Sequence, residues 1–111
     1  RQNDTIMAKI RADIAEKLAI VCEELDHQDV LEWVRPSAGV VCLPHIKDEI
    51  ELDIAEFYDV LNNKYGVFVG PGHWFSMDDR YFRVGYAWPD KEQLRNGLKG
   101  LIAAVQDVRK N

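Results

Sequence analysis

Apolar residues at Ile6, Ile10, Ile14, Leu18, Cys22 and Leu25 return every three or four positions, which predicts a helix over residues 4–25 with one buried face. Arg11, Lys17 and Glu24 fall elsewhere on that wheel. Asp4 is placed to cap the start, and His27-Gln28 mark the stop. A helix of this length is long for a small domain, and its position at the edge suits a bridge to a neighbouring domain.

The period then changes. Val30, Glu32 and Val34 alternate with Leu31, Trp33 and Arg35, which predicts a short strand. Pro36-Ser37-Ala38 turns the chain, and residues 39–43 form a second, Val-rich strand, so the two are expected to pair as a hairpin ended by Pro44-His45. A charged connection over residues 47–52 leads to a second helix over residues 53–64, with Ile54, Phe57, Tyr58 and Leu61 as its buried stripe. Gly66 is available for a left-handed exit. Val67-Phe68-Val69 reads as a short buried strand, followed by the loop Gly70-Pro71-Gly72-His73-Trp74-Phe75. Residues 81–87, Tyr-Phe-Arg-Val-Gly-Tyr-Ala, alternate again. Asp90 and Gln93 match a capping box for a last helix carrying Leu94, Leu98, Leu101, Ile102 and Val105 on one face. The order of elements predicts one α+β domain over residues 1–111, a two-layer sandwich with a small mixed or antiparallel sheet and helices mainly on one face.

Composition narrows the functional classes. The 111 residues carry 14 Lys plus Arg against 19 Asp plus Glu, a net charge of −5. A nucleic-acid partner is not expected, since such a partner calls for clustered positive charge. Nor is a membrane, because no apolar run is long enough to span one and no basic amphipathic stretch suits its surface. His27, His45 and His73 share no metal-ligand spacing with each other or with Cys22 and Cys42, so no metal site is expected. Both cysteines sit in apolar settings and read as free thiols of a reducing compartment, which makes the cytoplasm the default location. The acidic run over residues 48–53 is a solvated lead into a helix N-terminus. The chain opens at Arg1 without Met, which suggests a piece of a larger protein.

The chemistry concentrates at Arg83. In a strand, Phe82, Val84 and Tyr86 share one bulky face, and Tyr81, Arg83, Gly85 and Ala87 share the other. A guanidinium beside small residues offers a planar fork that fits a carboxylate with two parallel hydrogen bonds. That suits the carboxylate of an amino or keto acid. The plainer reading is a surface arginine paired with Asp78 or Asp79. Gly72, His73, Trp74 and Phe75 could be a simple turn or the rim of a pocket, with His73 an exposed loop histidine.

These residues carry a resemblance. Tyr65-Gly66, Val67-Phe68-Val69-Gly70-Pro71-Gly72, the aromatic Phe75, Phe82-Arg83-Val84-Gly85-Tyr86-Ala87 and the last helix, in that order, resemble the C-terminal end of the fold-type I, pyridoxal-phosphate-dependent aminotransferases of class I/II. Trp33-Val34-Arg35-Pro36-Ser37-Ala38-Gly39 resembles that family's turn and strand before the second helix, and residues 1–25 resemble the long helix leaving the large domain. The resemblance implies transfer of an amino group between an amino acid and a 2-oxo acid, with pyridoxal 5'-phosphate bound to a lysine as a Schiff base. It implies that Arg83 holds the substrate's α-carboxylate, and that the full-length protein is a homodimer. No lysine here stands in a context matching the Schiff-base segment, so cofactor and catalytic groups are expected outside this stretch, and the stretch alone is expected to be inactive. Two other readings remain. One is a lyase, cyclase or synthase on the same cofactor; the other is a non-enzymatic effector-binding or regulatory module.

Overall fold

The computed structural model describes residues 2–34 and 41–111, with side chains from Thr5 onward. The order is α1 (Gln2–Asp26), β1 (Leu31–Glu32), β2 (Val41–Cys42), β3 (His45–Ile46), α2 (Ile54–Asn63), β4 (Gly70–Pro71), a 3₁₀ turn (Gly72–Phe75), β5 (Phe82–Gly85) and α3 (Lys91–Val108). This is the expected α+β class, and every strand pair is antiparallel.

The strand pairing differs from the expected hairpin. β1 pairs with β3, Leu31 opposite Ile46 and Glu32 opposite His45. β2 instead pairs with β5, Val41 opposite Gly85 and Cys42 opposite Val84. The turn of the expected hairpin, residues 35–40, lies outside the described residues. Nor does Pro44 end the pairing. The Phe82 N–H donates to the Pro44 carbonyl at 3.0 Å, His45 bridges Tyr81, and the Ile46 N–H donates to the Arg80 carbonyl at 2.9 Å. Residues 41–46 thus run beside residues 80–85 in one unbroken register. A proline lacks the N–H but keeps the carbonyl, so it can sit in a ladder as an acceptor. The same segment joins the β1–β3 pair to the β2–β5–β4 sheet. Across this junction His45 stacks on Tyr81 with ring centres 4.5 Å apart, and its Nε2 lies 3.3 Å from the Glu32 carboxylate.

Helix ends follow the local signals. The Asp53 carboxylate accepts from the Ala55 and Glu56 N–H groups at the start of α2, and Asp90 and Gln93 form the reciprocal capping box of α3. Gly66 takes the left-handed conformation, φ 65°, that lets the chain leave α2. Val67 then spends its N–H on the Leu61 carbonyl at 3.0 Å. That bond belongs to the helix exit, so residues 67–69 do not form the expected strand, and Phe68 is exposed.

The core lies between the helices and one face of the sheet. It joins Val21 and Leu25 of α1, Phe57 and Leu61 of α2, Leu98, Leu101 and Val105 of α3, and Cys42, Phe82 and Tyr86 from the strands. The expected stripe of α1 holds in its second half, where Ile14 and Leu18 pack against the core and Leu25 lies in it, and fails in the first. Ile6 and Ile10 are exposed, whereas Ile20, Val21 and Lys17 are buried. The Lys17 ammonium donates to the Ala87 carbonyl at 3.0 Å and pairs with Asp13 at 3.0 Å, which satisfies the charge and fastens α1 to the end of β5. α1 also starts at Gln2, so Asp4 lies inside the helix and not at its cap. Cys22 and Cys42 are free thiols, and burial pushes the Cys42 thiol up to about 12. Among the described residues no helix is long and apolar enough to cross a membrane.

Candidate functional site

β5 splits its side chains between the two faces of the sheet. Phe82 and Tyr86 are buried and Val84 is half-buried, while Arg83 is exposed. Gly70 stands directly opposite Arg83 on β4. On the other side the unbroken register brings Leu43 opposite Arg83 and Val41 opposite Gly85. Directly opposed residues share a face, so Leu43, Arg83, Gly85 and Gly70 line the outer side of the sheet.

The two glycines are where other groups come close. A Cβ on Gly70 would lie 3.3 Å from the Arg83 Cβ and 3.6 Å from Cε3 of Trp74. A Cβ on Gly85 would come within 2.8 Å of Cζ3 of Trp88. The space beside Gly85, expected to be open, is thus occupied by an indole edge. Arg83 stands between two glycines, each overlain by a tryptophan.

Neither acid named as a partner for Arg83 engages it. The Asp79 carboxylate accepts from the His73 N–H at 2.8 Å and contacts His73 Nδ1 at 2.7 Å. Asp78 accepts from the Arg80 N–H at 2.8 Å. Among the described residues Arg83 has no carboxylate partner. The neighbouring Arg80, by contrast, is tied down: its guanidinium donates to the Lys47 and Ile50 carbonyls at 2.5 and 2.7 Å.

The expected rim is a closely held turn. Gly72 is buried because the Asp78 carbonyl would stand 1.9 Å from any Cβ there. The Met77 N–H returns to the Gly72 carbonyl at 2.8 Å, and Ser76 takes the left-handed φ of 63° that closes the turn. The Tyr58 hydroxyl donates to the Asp79 carbonyl at 2.8 Å. Burial, with the charges of Asp79 and Asp78, raises the Tyr58 pKa, so it remains a donor. The His73 N–H, followed by its ring, holds the Asp79 carboxyl below its ordinary value. His73 and Trp74 point outward and are exposed, while Phe75 is half-buried. A cavity of about 460 Å³ opens beside Gly85, between residues 65–69 and the first turns of α3, but Arg83 does not line it.

The structure sets Gly70 beside Arg83 and Trp74, packs Gly72 against Met77 and Asp78, and leaves His73 bound to Asp79. It adds two residues that sequence reasoning missed at this site and gives a third another partner. Leu43 was hidden by the misassigned hairpin. Trp88 was visible only in the Trp88-Pro89 lead into the Asp90 cap. Asp79, named as a partner for Arg83, serves His73.

Comparison with known proteins gives the family and the fold. The family model for aminotransferase class I and II matches residues 1–101. No curated protein gives a significant match. A pyridoxal-phosphate-dependent aminotransferase from Streptococcus suis superposes with a TM-score of 0.81 at 25% identity, over 98% of this chain and 28% of that one. LysN, the α-aminoadipate aminotransferase of Thermus thermophilus, gives 0.78 at 19% identity, over 96% and 28%. An aspartate aminotransferase from Rhodobacter sphaeroides gives 0.73 at 23%, over 96% and 26%. The chain thus spans about a quarter of the length of these solved structures.

Proposed function

This chain belongs to the aminotransferase class I and II family, and we propose that it is the C-terminal small domain of a pyridoxal-phosphate-dependent transaminase. In this reading Arg83 grips the α-carboxylate of an amino acid that exchanges its amino group with a 2-oxo acid. The observation that carries it is an exposed guanidinium, without a carboxylate partner among the described residues, on a sheet face where Gly70 and Gly85 flank it and admit the indoles of Trp74 and Trp88. Two parallel charge-assisted hydrogen bonds from that fork fix both the position and the plane of a carboxylate. The Lys17 bond to Ala87 and the hydrogen-bonded 72–81 segment hold the strand that carries it.

Pyridoxal phosphate, when bound, supplies the electron sink for the change at the substrate's α-carbon. Four of the described lysines are already engaged with acids. Lys17 is held by Asp13 and Ala87, Lys64 by Asp107 and Lys91 by Glu16, and Lys99 lies beside Glu24. None of these amines is offered to the Arg83 face. In this reading the cofactor's lysine and phosphate cradle belong to the large domain, and residues 1–111 contribute the carboxylate grip and part of the wall. Ile6, Met7 and Ile10 leave an exposed apolar stripe on the first half of α1, suited to packing against that domain. Closure of the small domain would bring Arg83 onto the substrate and exclude water. Other walls would come from the second subunit of a homodimer.

The test is Arg83→Ala and Arg83→Lys in the pyridoxal-phosphate-loaded protein that carries this chain. Loss of kcat/KM for every amino acid, with Lys recovering only part, fits a bidentate grip. An unchanged kcat/KM in Arg83→Ala would sink the assignment.

A further inference from the structure

We propose that Trp74 and Trp88 form the seat for the substrate's side chain, and that the substrate is a 2-amino acid with a flat apolar, aromatic side chain. The inference rests on Arg83 as the carboxylate grip and adds what lies beside it. Trp74 and Trp88 are 73% and 74% exposed, unusual for such large apolar groups in a folded domain. Both lie on the face that carries Arg83, one against Gly70 across the ladder and one against Gly85 two residues along the strand. Leu43, 49% exposed, stands opposite Arg83, and Tyr81, stacked on His45, lies two residues back along the chain. A cation bordered by two indoles and Leu43 fits a ligand of the same make: an anionic end and an uncharged flat end.

The distances agree with such a ligand. Opposed residues in an antiparallel pair are about 5 Å apart, and residues two apart along a strand are about 7 Å apart. The few bonds between the carboxyl carbon and the ring of an aromatic amino acid span a similar length. A ring placed there would meet the exposed indoles, and aromatic pairs favour stacked or edge contacts. Among the described residues, a second carboxylate on the substrate would meet no further arginine on this face. It would be desolvated against two indoles and Leu43.

The experiment compares L-phenylalanine with L-alanine as amino donors for the pyridoxal-phosphate-loaded protein, in the wild type and in Trp74→Ala, Trp88→Ala and Trp88→Phe. The ratio of kcat/KM, phenylalanine over alanine, should fall about three- to tenfold in each alanine variant and recover in Trp88→Phe. Binding is read independently by tryptophan fluorescence. Titration with 3-phenylpropanoate should change the emission, propanoate should not, and the change should shrink in the alanine variants. An unchanged ratio together with an unchanged titration overturns the inference and leaves the indoles as packing surface for the rest of the protein. Arg83→Ala separates the two readings. If it abolishes use of both amino acids while the tryptophan variants treat them alike, the carboxylate grip stands and the aromatic seat falls. If it alters neither amino acid, both fall.

Discussion

The two faces of β5 are built from alternate residues of one short strand, yet they are under different physical demands. Inward, Phe82 and Tyr86 lie within the core, and Phe82 stacks on Phe57 with ring centres 5.7 Å apart. Outward, Arg83 and Gly85 touch little that the fold needs, and the indoles above the glycines are left to solvent. The inner face is satisfied within the chain. The outer face carries a charge and apolar area that gain partners only from something else. A strand that spends half of its side chains on stability and leaves the other half uncommitted is a scaffold for binding.

The comparison breaks most directly at Phe82. Phe82→Ala removes a fully buried ring and should destabilise the fold by about 3–5 kcal/mol, read from the denaturant midpoint. Arg83→Ala, one residue away, should change that midpoint by no more than about 0.5 kcal/mol. Its effect should fall on substrate use, by about a hundredfold in kcat/KM, as expected for losing two hydrogen bonds to a charged group. If both variants lost stability alike, the outer face would belong to the core and the contrast would be wrong.

A third substitution tests the edge shared by the two faces. Gly72→Ala would drive a Cβ into the backbone of Met77 and Asp78, atoms that cannot rotate away. The cost is about 1–3 kcal/mol, seen as a lowered melting temperature. Because the turn carries Trp74, substrate use should fall as well, which neither Phe82→Ala nor Arg83→Ala is expected to show in combination with so modest a loss of stability.

What the sequence made legible follows the range of the forces involved. The α3 cap at Asp90 and Gln93, the left-handed Gly66 and the alternation around Arg83 are local, and each is where the chemistry of its own residues places it. Strand partners are not local. Val30 to Leu43 looks like a hairpin because two β-rich runs flank Pro36-Ser37-Ala38, but β2 gains more by lying beside β5, where Cys42 reaches the core with Phe82. Lys17 falls off the apolar face of α1 in the sequence; its burial depends on the Ala87 carbonyl seventy residues away. The first half of the α1 stripe fails for a related reason. Ile6 and Ile10 have the period of a buried face, but no described residue is placed to cover them. At the site, Arg83 was legible from its small neighbours, whereas Leu43 depended on the pairing and Trp88 on the path of the chain after β5.

The smallest effect belongs to Asp79, and its direction follows from linkage. Its carboxyl is held below the ordinary value in the fold, first by the His73 N–H and then by the His73 ring. The folded state therefore takes up the proton less readily than the unfolded chain does. The contribution to stability is complete above the unfolded value and is lost as the pH falls through the lowered one. Asp79→Asn keeps an oxygen for the His73 N–H but does not titrate. The stability gap between wild type and Asp79→Asn should then be widest near about pH 5 and should narrow toward about pH 3. Asp107, held low by Lys64 and Tyr65 at the far end of α3, should give the same pH signature when changed to Asn. Only the Asp79 change should also alter how the protein handles substrate, because Asp79 is bound to the turn that carries Trp74. A gap that stayed constant with pH would mean that the charge of Asp79 contributes nothing to holding that turn. Equal effects of both variants on substrate use would mean that the turn is no closer to the site than the end of α3.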